Sequence, residues 1–194
     1  MPMTSSARAK GDPGSPAGAF AGSCPDALLV TLRAEVCCGL DWQRTADRVA
    51  QALRGKLPDP AELLPASLRS GDPACYQSHL LHAEPDGSFS VAAMVWLPGQ
   101  ETVIHDHVAW CVTAVLQGDE HEQIFALSDD GQALRLVAHN ANPPGTVCGF
   151  APPGDIHRVR NVGTGTAISM HVYGADISRL GNSIRREYRL PILP

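Results

Sequence analysis

Two histidines separated by one residue, His105 and His107, are the residues whose types and spacing most directly predict chemistry. They lie near the centre of the stretch from Gly99 to Gly118, which is apolar and rich in β-branched residues. Because side chains alternate between the two faces of an extended strand, both imidazoles project to the same side. Two imidazoles on one side can bind a single metal ion, so this stretch predicts part of a metal site.

A third histidine, His157, lies in a second stretch, from Gly145 to Asn161, that contains two glycines and two prolines between its ends. Spacing alone does not place it beside the first pair, because histidine is also common on surfaces and in hydrogen-bonded cores. From the residues alone, a ligand and a structural role for His157 both stay open.

Taken together, the two stretches resemble the paired motifs of the cupin superfamily. The first motif, G-x5-H-x-H, matches Gly99, His105 and His107, and the second, G-x6-P-x-G-x2-H-x3-N, matches Gly145, Pro152, Gly154, His157 and Asn161. The resemblance implies a mostly β fold, the double-stranded β-helix or jelly-roll-like antiparallel barrel. It also implies one metal ion inside the barrel, held by His105, His107 and His157.

A further set of polar residues, Ser169, His171 and Tyr173, stands at alternate positions and therefore shares one face of a strand. With I-H-D-H, L-Q-G and I-H-R-V-x-N earlier in the chain, this S-x-H-x-Y segment resembles the thiol dioxygenases, the group of cysteine dioxygenase and 3-mercaptopropionate dioxygenase. The resemblance covers residues 76–173, half of the chain. It implies addition of both atoms of O2 to a substrate sulfur at Fe(II), giving a sulfinate. Tyr173 would orient or protonate oxygen species, with His171 and Ser169 fixing its hydroxyl.

The ligand set also carries information about the substrate. Many metal-binding cupins have a glutamate four or five residues after the second histidine, where this chain has Cys111 and Val112. Three neutral imidazoles leave the charge of a divalent ion uncompensated, which favours an anionic ligand such as a thiolate. Coordination itself deprotonates a thiol, so no strong base is needed. We therefore expect a small thiol as substrate.

Cys111 has a second interpretation, which comes from the resemblance. In the animal cysteine enzymes a cysteine on this strand forms a thioether with the tyrosine that Tyr173 matches. Cys111 aligns with that cysteine when counted back from Leu116-Gln117-Gly118, although the segment from His107 is one residue shorter. The mercaptopropionate enzymes usually have glycine there. The sequence leaves open whether the Cys111–Tyr173 link forms.

The residues that would bind the substrate carboxylate differ from those of the animal enzymes. Tyr76 and Ser78 occupy the positions of their Tyr-x-Arg, so the arginine clamp is missing. Arg185 or Arg186 in the C-terminal segment is the candidate for a bidentate carboxylate contact. We predict a 3-mercaptopropionate-like substrate, with cysteine or mercaptosuccinate next.

Composition limits the other functions. The 194-residue chain has a net charge of -5, which provides no positive field to attract nucleic acid. It has no run of eighteen apolar residues and no secretory signal pattern, so we expect a cytoplasmic protein without membrane contact, as a monomer or small homo-oligomer. The six cysteines include an adjacent pair and no C-x-x-C, which favours reduced thiols.

The chain divides into a disordered segment over 1–23 and one cupin domain over 24–194. Two helices and a short third over Ala61–Leu68 are predicted in about 25–70, with Asp41 as an N-cap and with packing outside the barrel. Short strands with Asp-Gly turns at 86–87 and 130–131 predict the barrel over about 75–175. The polar tail after Tyr173 would cover a surface or close the barrel mouth.

Two other classes of function remain open at this point. A non-catalytic cupin that senses a small ligand or a metal would keep the barrel but has no need of Tyr173 beside an open metal site. A cupin isomerase, or a cupin dioxygenase that acts on carbon, would be an enzyme with another reaction.

Overall fold

The computed structural model describes residues 22–193 and is mostly β, with 37% strand and 18% helix. Curled sheets form a half-barrel and helices from the N-terminal part pack against it, which confirms the predicted cupin class. Disorder was predicted for residues 1–23, of which 1–21 lie outside the described residues. Ser23 is described, and its backbone N–H donates to the carbonyl of Leu63. No helix in the described range is both apolar enough and long enough to cross a bilayer.

The elements of the described chain follow one another in a helix-then-strand order. The helices are α1 (Asp26–Val36), α2 (Trp42–Leu53), α3 (Pro60–Leu63) and, late in the chain, α4 (Ile177–Leu180). The strands are β1 (Gln77–Ala83), β2 (Ser90–Trp96), β3 (His105–His107), β4 (Cys111–Gln117), β5 (Glu120–Leu127), β6 (Leu134–Asn142), β7 (Val147–Phe150), β8 (His157–Asn161), β9 (Ala167–Tyr173), β10 (Ile184–Glu187) and β11 (Ile192–Leu193).

Two sheets divide the strands between them. The first has the order β1-β2-β9-β4-β7, and the second has the order β10-β3-β8-β5-β6-β11. The pairs are antiparallel except for β11 with β6. In this arrangement β3 and β8, which carry the three predicted ligands, lie side by side in the second sheet, whereas β9 with Ser169, His171 and Tyr173 lies in the first.

The helices α1 and α2 cover the outer face of the first sheet. Alternate residues of its central strands, such as Val91 and Val172, form one buried cluster with helix residues such as Leu32 and Val49. The other set of alternate residues, which includes Tyr173, therefore faces inward toward the second sheet. The apolar layer fixes which side chains of β9 can reach the metal-ligand histidines.

Local signals explain where the helices begin and end. The side chain of Asp41 accepts a hydrogen bond from the backbone N–H of Arg44, so the predicted N-cap of α2 is confirmed. The third helix is shorter than the predicted Ala61–Leu68. It starts at a capping box of Asp59 and Glu62 and ends before Leu64, which is extended because a proline follows it.

The C-terminal tail does more than cover a surface. Its strand β10 pairs with β3, and β11 pairs with β6, so the tail adds a strand at each edge of the second sheet. Neither strand was predicted, because β10 is rich in arginine and lacks the apolar alternation of a half-buried strand, and β11 is only two residues long and follows a proline. The Asp-Gly hairpin turns were predicted correctly, with positive φ at Gly87 and Gly131.

Candidate metal centre

Three buried histidines come together at the inner face of the second sheet. The short strand β3 presents His105 and His107 on one side, and His157 of β8 lies directly opposite His105 in the antiparallel register. One ring nitrogen from each histidine lies within 4.8 Å of the others. These are the three residues expected to bind the metal, and the fold brings His157 beside His105 although 51 residues lie between them in the chain.

Each of the three rings is held from behind through its Nδ1 atom. The Nδ1 of His105 is 2.9 Å from the carbonyl oxygen of Val103, that of His107 is 3.1 Å from Oδ2 of Asp155, and that of His157 is 2.8 Å from Oε1 of Glu122. An oxygen acceptor at Nδ1 fixes the proton there and leaves the lone pair on Nε2. The Nε2 of His157 is fully buried and has no hydrogen-bond partner within the described residues.

The electrostatic surroundings keep the ligands in the form that binds metals. Burial, followed by the neighbouring ring of His157, holds the pKa of His105 and of His107 well below the usual range, so both imidazoles are neutral. Burial acts to raise the pKa of Glu122, but its hydrogen bond and charge interaction with His157 outweigh burial, and the net shift is downward. The carboxylate behind His157 is therefore ionised.

These observations fit a divalent transition-metal ion. Three imidazoles with converging Nε2 atoms, that of His157 buried without a hydrogen-bond partner within the described residues, are a donor set for iron, zinc or copper. Three ligands from the protein leave further coordination positions for small molecules. The arrangement can therefore bring an exogenous ligand to the metal.

The polar row predicted on β9 faces this centre from the first sheet. The Oγ of Ser169 is 3.1 Å from Nε2 of His171, and Nδ1 of the same ring is 3.2 Å from the hydroxyl of Tyr173. The ring centroids of Tyr173 and His107 are 6.3 Å apart, so the tyrosine end of the row lies beside the ligands. Burial lowers the pKa of His171 to about 3, which keeps this imidazole neutral.

Cys111 is the direct cross-strand partner of Tyr173. The two residues face each other in the register of β4 and β9 and belong to one small buried cluster. Directly opposite residues of an antiparallel pair have Cβ atoms about 5 Å apart. Burial raises the pKa of the Cys111 thiol well above its usual value, so the thiol is protonated. All six cysteines of the chain are free.

The two arginines predicted to bind substrate lie on β10 and have different contacts. Arg185 forms an ion pair with Asp106, the residue between the two histidines of β3, which points to the opposite face from them. The hydroxyl of Tyr188 donates to the same Asp106 oxygen at 2.9 Å. Arg186 lies over the ring of Tyr188, with its guanidinium carbon 4.7 Å from the ring centroid.

Tyr76 and Ser78 lie toward the serine end of the row. The ring of Tyr76 stacks on Trp96 with centroids 4.4 Å apart, and the indole N–H of Trp96 donates to Oγ of Ser169 at 3.2 Å. Ser78 pairs in register with Met94, which in turn pairs with Ser169. Both residues therefore belong to the inner side of the first sheet, at the end of the row away from Tyr173.

Four buried acidic residues of the site were not predicted from the sequence. Asp155 and Glu122 hold the ligand histidines, Asp106 holds the tail, and Glu120 is buried with an Oε1 atom that has no hydrogen-bond partner within the described residues. Two of them could have been found from the alternation of side chains along a strand. Glu120 and Glu122 share one face of the strand that follows the Leu116-Gln117-Gly118 motif.

The sequence also matches a known protein family over the part of the chain that forms this site. Residues 59–182, nearly two thirds of the chain, match the family described as cysteine dioxygenase type I. This chain belongs to the cysteine dioxygenase type I family. The matched range contains all three ligand histidines and the whole Ser169–His171–Tyr173 row, whereas β10 and β11 lie beyond it.

Other similarities are more distant. The chain is 36% identical over 73 residues to a 4-hydroxy-2-oxovalerate aldolase of Desulfitobacterium hafniense, a match that spans 37% of this chain and 22% of that protein. A recombinant oxalate oxidase in complex with glycolate superposes with a TM-score of 0.43 at 19% identity, over 55% of this chain and 54% of that one. A cupin superfamily protein of Desulfitobacterium hafniense superposes with a TM-score of 0.42 at 18% identity, over 62% and 95% of the two chains. The chain thus spans about a fifth of the curated relative and about half of the oxalate oxidase.

Proposed function

We propose that this protein is an Fe(II)-dependent thiol dioxygenase that converts a small carboxylate-bearing thiol to its sulfinate, with a 3-mercaptopropionate-like thiol preferred and cysteine or mercaptosuccinate next. The observation that carries the proposal is the position of the Ser169–His171–Tyr173 row directly opposite three neutral metal-ligand histidines. Membership of the cysteine dioxygenase type I family supports it. A binding protein that only senses a ligand has no use for a tyrosine held in this way.

The three histidines would hold the iron through Nε2. Bound Fe(II) would supply open coordination positions at which a thiolate and O2 can react together, with the substrate sulfur as the net reductant of O2. The protein contributes no anionic ligand, so the positive charge of the centre attracts the thiol as its anion. His107 and His157 are fixed in orientation by Asp155 and Glu122, which keeps their lone pairs directed at one point.

Tyr173 provides the hydroxyl beside the reacting atoms. The neutral ring of His171 holds this hydroxyl at 3.2 Å, and Ser169 holds the ring from its other nitrogen. A fixed O–H can orient an oxygen species and hold or move a proton at its oxygen atom. The aromatic face of Phe150, with its centroid 5.1 Å from that of His107, helps to keep water from the same space.

For the substrate carboxylate, the tail offers two guanidinium groups. Arg185 is already paired with the buried carboxylate of Asp106, and breaking that pair would leave a buried charge without its partner. Arg186 lies on the ring of Tyr188 and forms no ion pair within the described residues. Arg186 is also the registered partner of Asp106, which points away from the histidines, so its contacts do not favour it over Arg185. Both arginines stay candidates for the carboxylate clamp, with Tyr76 and Ser78 as further candidates to line the substrate site.

Oxygen uptake by the Fe(II)-loaded protein against a panel of thiols tests the reaction. We expect rapid uptake with 3-mercaptopropionate, slower uptake with cysteine and mercaptosuccinate, and a product that carries two added oxygen atoms on sulfur. His157→Ala should abolish uptake, whereas His139→Ala, which alters an exposed histidine of β6, should leave it unchanged. Tyr173→Phe should lower kcat on the order of 10²-fold. No uptake with any thiol would refute the proposal and leave a sensor or a dioxygenase acting on carbon.

Removing the carboxylate from the substrate tests the clamp. Replacing the arginine that binds the carboxylate, by Arg185→Ala or Arg186→Ala, should raise KM for 3-mercaptopropionate and leave cysteamine, which lacks a carboxylate, unaffected. If neither variant shows this selective change, neither arginine is the clamp.

The mass of the purified protein tests the Cys111–Tyr173 link. Forming a thioether removes one hydrogen from the thiol and one from the ring, with O2 as the oxidant. Because the two residues are cross-strand partners, we expect the iron-loaded protein to become lighter by two hydrogen atoms after turnover, with the change in the peptides of Cys111 and Tyr173. Cys111→Ala should show no such change. An unaltered mass after many turnovers would mean that the link does not form.

A further inference from the structure

Two histidines on the outer face of the second sheet have no part in the chemistry described so far. His121 of β5 lies between Glu120 and Glu122, whose side chains are buried, so its own side chain points outward. On the neighbouring strand β6, His139 pairs with Gln123 in the antiparallel register, which makes it the diagonal neighbour of His121. His139 is exposed and His121 is partly exposed, so an ion in solution can reach both rings.

The two rings meet edge to face at the spacing of the inner ligands. Nε2 of His139 is 3.1 Å from Nδ1 of His121, and the ring centroids are 4.9 Å apart with an angle of 79° between the planes. The rings of His105, His107 and His157 have centroid distances of 4.8 to 4.9 Å and angles of 56 to 64°. The outer pair therefore has the ring spacing of a set whose nitrogens converge on one point.

The distance between the two nitrogens also suits a shared ion. With metal–nitrogen bonds of about 2.0 to 2.1 Å, two nitrogens on one ion lie about 2.9 Å apart at a right angle and about 3.3 Å apart at a tetrahedral angle. The observed 3.1 Å lies between these two values. Without an ion, the same distance accommodates one hydrogen bond, in which one ring donates and the other accepts. Binding an ion requires only that the donor ring moves its hydrogen to its other nitrogen, so no proton is lost.

The groove around the pair selects the kind of ion. Its volume is about 270 Å³, and its other lining residues are Glu101, Gln123, Arg158, Arg160 and Val162. The side-chain oxygens are directed at Arg158, whose Nε is 3.0 Å from Oε1 of Gln123 and whose Nη1 is 3.7 Å from Oε1 of Glu101. The two arginines repel a cation that is held by charge alone. Mg²⁺ and Ca²⁺, which prefer oxygen ligands, are therefore disfavoured, whereas zinc and copper bind imidazole well.

We propose that His121 and His139 form a second metal site, on the outer face of the protein, for a divalent zinc or copper ion. Nδ1 of His121 and Nε2 of His139 are its two protein ligands, and small molecules from solution complete the coordination. The site has fewer protein ligands than the inner centre and is open to solvent, so it fills after the inner centre and exchanges its ion more readily. The inference is independent of the proposed thiol oxidation, because it requires only these two rings on the opposite face of the sheet.

Zinc is the probe for this site, because it has no unpaired electrons and leaves the NMR signals of its ligands sharp. The full-length protein is titrated with zinc while the ring nitrogen signals of its histidines are followed. We expect the signals of Nδ1 of His121 and Nε2 of His139 to shift together to a common end point, after those of the inner histidines. The variants His121→Gln and His139→Gln assign the signals, and each should lose the saturable response of the ring that remains.

The variants are chosen to remove a ligand nitrogen and little else. Glutamine keeps a polar side chain of similar reach on the exposed face, so the strands stay paired. His82→Ala, at a partly buried histidine of β1 that is bonded to Glu84, is the matched control and should leave the joint response unchanged. Thermal unfolding of each variant identifies any that does not fold.

The outcomes separate a shared ion from independent surface binding. Zinc that shifts only one of the two rings, or neither, would overturn the inference. A response of His121 that persists unchanged in His139→Gln would also overturn it, because that ring would then bind zinc by itself. A joint and saturable shift would uphold the site even if no thiol is oxidised, since thiol oxidation plays no part in the measurement.

Discussion

The three ligand histidines are not equivalent, because the groups behind them differ. A backbone carbonyl holds His105, whereas carboxyl groups hold His107 and His157. A carboxylate at Nδ1 makes an imidazole a stronger donor to a metal than a carbonyl does, because it stabilises the positive charge that the ring gains on coordination. The site therefore combines one weaker and two stronger nitrogen donors around the ion.

Replacing the carboxylate behind His157 should weaken the metal site without removing a ligand. We expect Glu122→Gln to lower the affinity for Fe(II) by about 10- to 100-fold, because the amide supports the ring less well than the ion does. Competition with a coloured chelator measures this affinity. Glu101→Gln, at an exposed position, is the matched control and should bind iron normally. An unchanged affinity in Glu122→Gln would show that the carboxylate does not tune the ligand.

Glu120 also predicts how the stability of the protein depends on pH. The folded-state pKa of about 7 lies above the ordinary value of 4.5, so between these two values the folded protein binds the proton and the unfolded chain does not. The free energy of unfolding should therefore fall as the pH rises from about 4.5 to about 7, by at most roughly 3 kcal/mol. Urea unfolding at about pH 5 and about pH 8 measures the change. Glu120→Gln should lack this contribution, and an identical slope in both proteins would contradict it.

At the scale of elements, the ligand strand β3 depends on its neighbours for its position. It is three residues long, pairs with β8 through one registered residue pair, and pairs with β10 along its other edge. The buried carboxylate of Asp106 binds both Arg185 and the hydroxyl of Tyr188 on the tail. These contacts hold the strand from the face opposite the histidines, so the tail positions two of the three ligands.

Weakening this connection should affect both stability and metal binding. Asp106→Asn removes the charge that pairs with Arg185, and we expect the free energy of unfolding to fall by roughly 1 to 3 kcal/mol together with the affinity for Fe(II). Chemical unfolding and iron titration measure the two effects. Glu187, like Arg185, lies on β10. Glu187→Gln breaks only the exposed pair with Arg189 and should change stability by about 0.5 kcal/mol or less. If both variants behave alike, Asp106 does not anchor the tail.

At the scale of the whole molecule, the metal should contribute to stability as a ligand of the folded state alone. His157 is distant in sequence from His105 and His107 and meets them only when β3 and β8 pair. With free Fe(II) at about 100 times its dissociation constant, binding adds about 2.7 kcal/mol, which corresponds to a rise in Tm of about 5 to 10 °C for a chain of this size. Thermal scans with and without a chelator measure the difference. His157→Ala should show a much smaller chelator effect, and a Tm of the natural protein that ignores the chelator would contradict the prediction.

Much of this architecture was predictable because the relevant signals are local or carried by motifs. The Asp41 cap and both long helices follow from a capping side chain and from apolar spacing. The two histidine stretches have the spacing of a known pair of motifs. This resemblance is what predicted His157 as a metal ligand. Alternation then placed Ser169, His171 and Tyr173 on one face of a strand.

The remaining features depend on contacts between residues that are distant in sequence. The tail strand β10 forms because β3 offers it an unpaired edge and Asp106 offers it a carboxylate, neither of which is visible in the tail itself. The buried acids Glu120, Glu122 and Asp155 look like ordinary surface charges until the two sheets face each other. Arg185 was assigned to substrate because its partner, 79 residues away in the chain, was not known.

The pairing of β3 with β10 has a consequence for how the protein is made. During synthesis the ligand strand leaves the ribosome long before residues 184–187, so a nascent chain exposes one unpaired edge of the histidine strand until β10 has emerged. The metal site that we propose would therefore be supported on both edges of its ligand strand only after β10 has been made, and a metal ion that arrives earlier would meet an incompletely held pair of histidines.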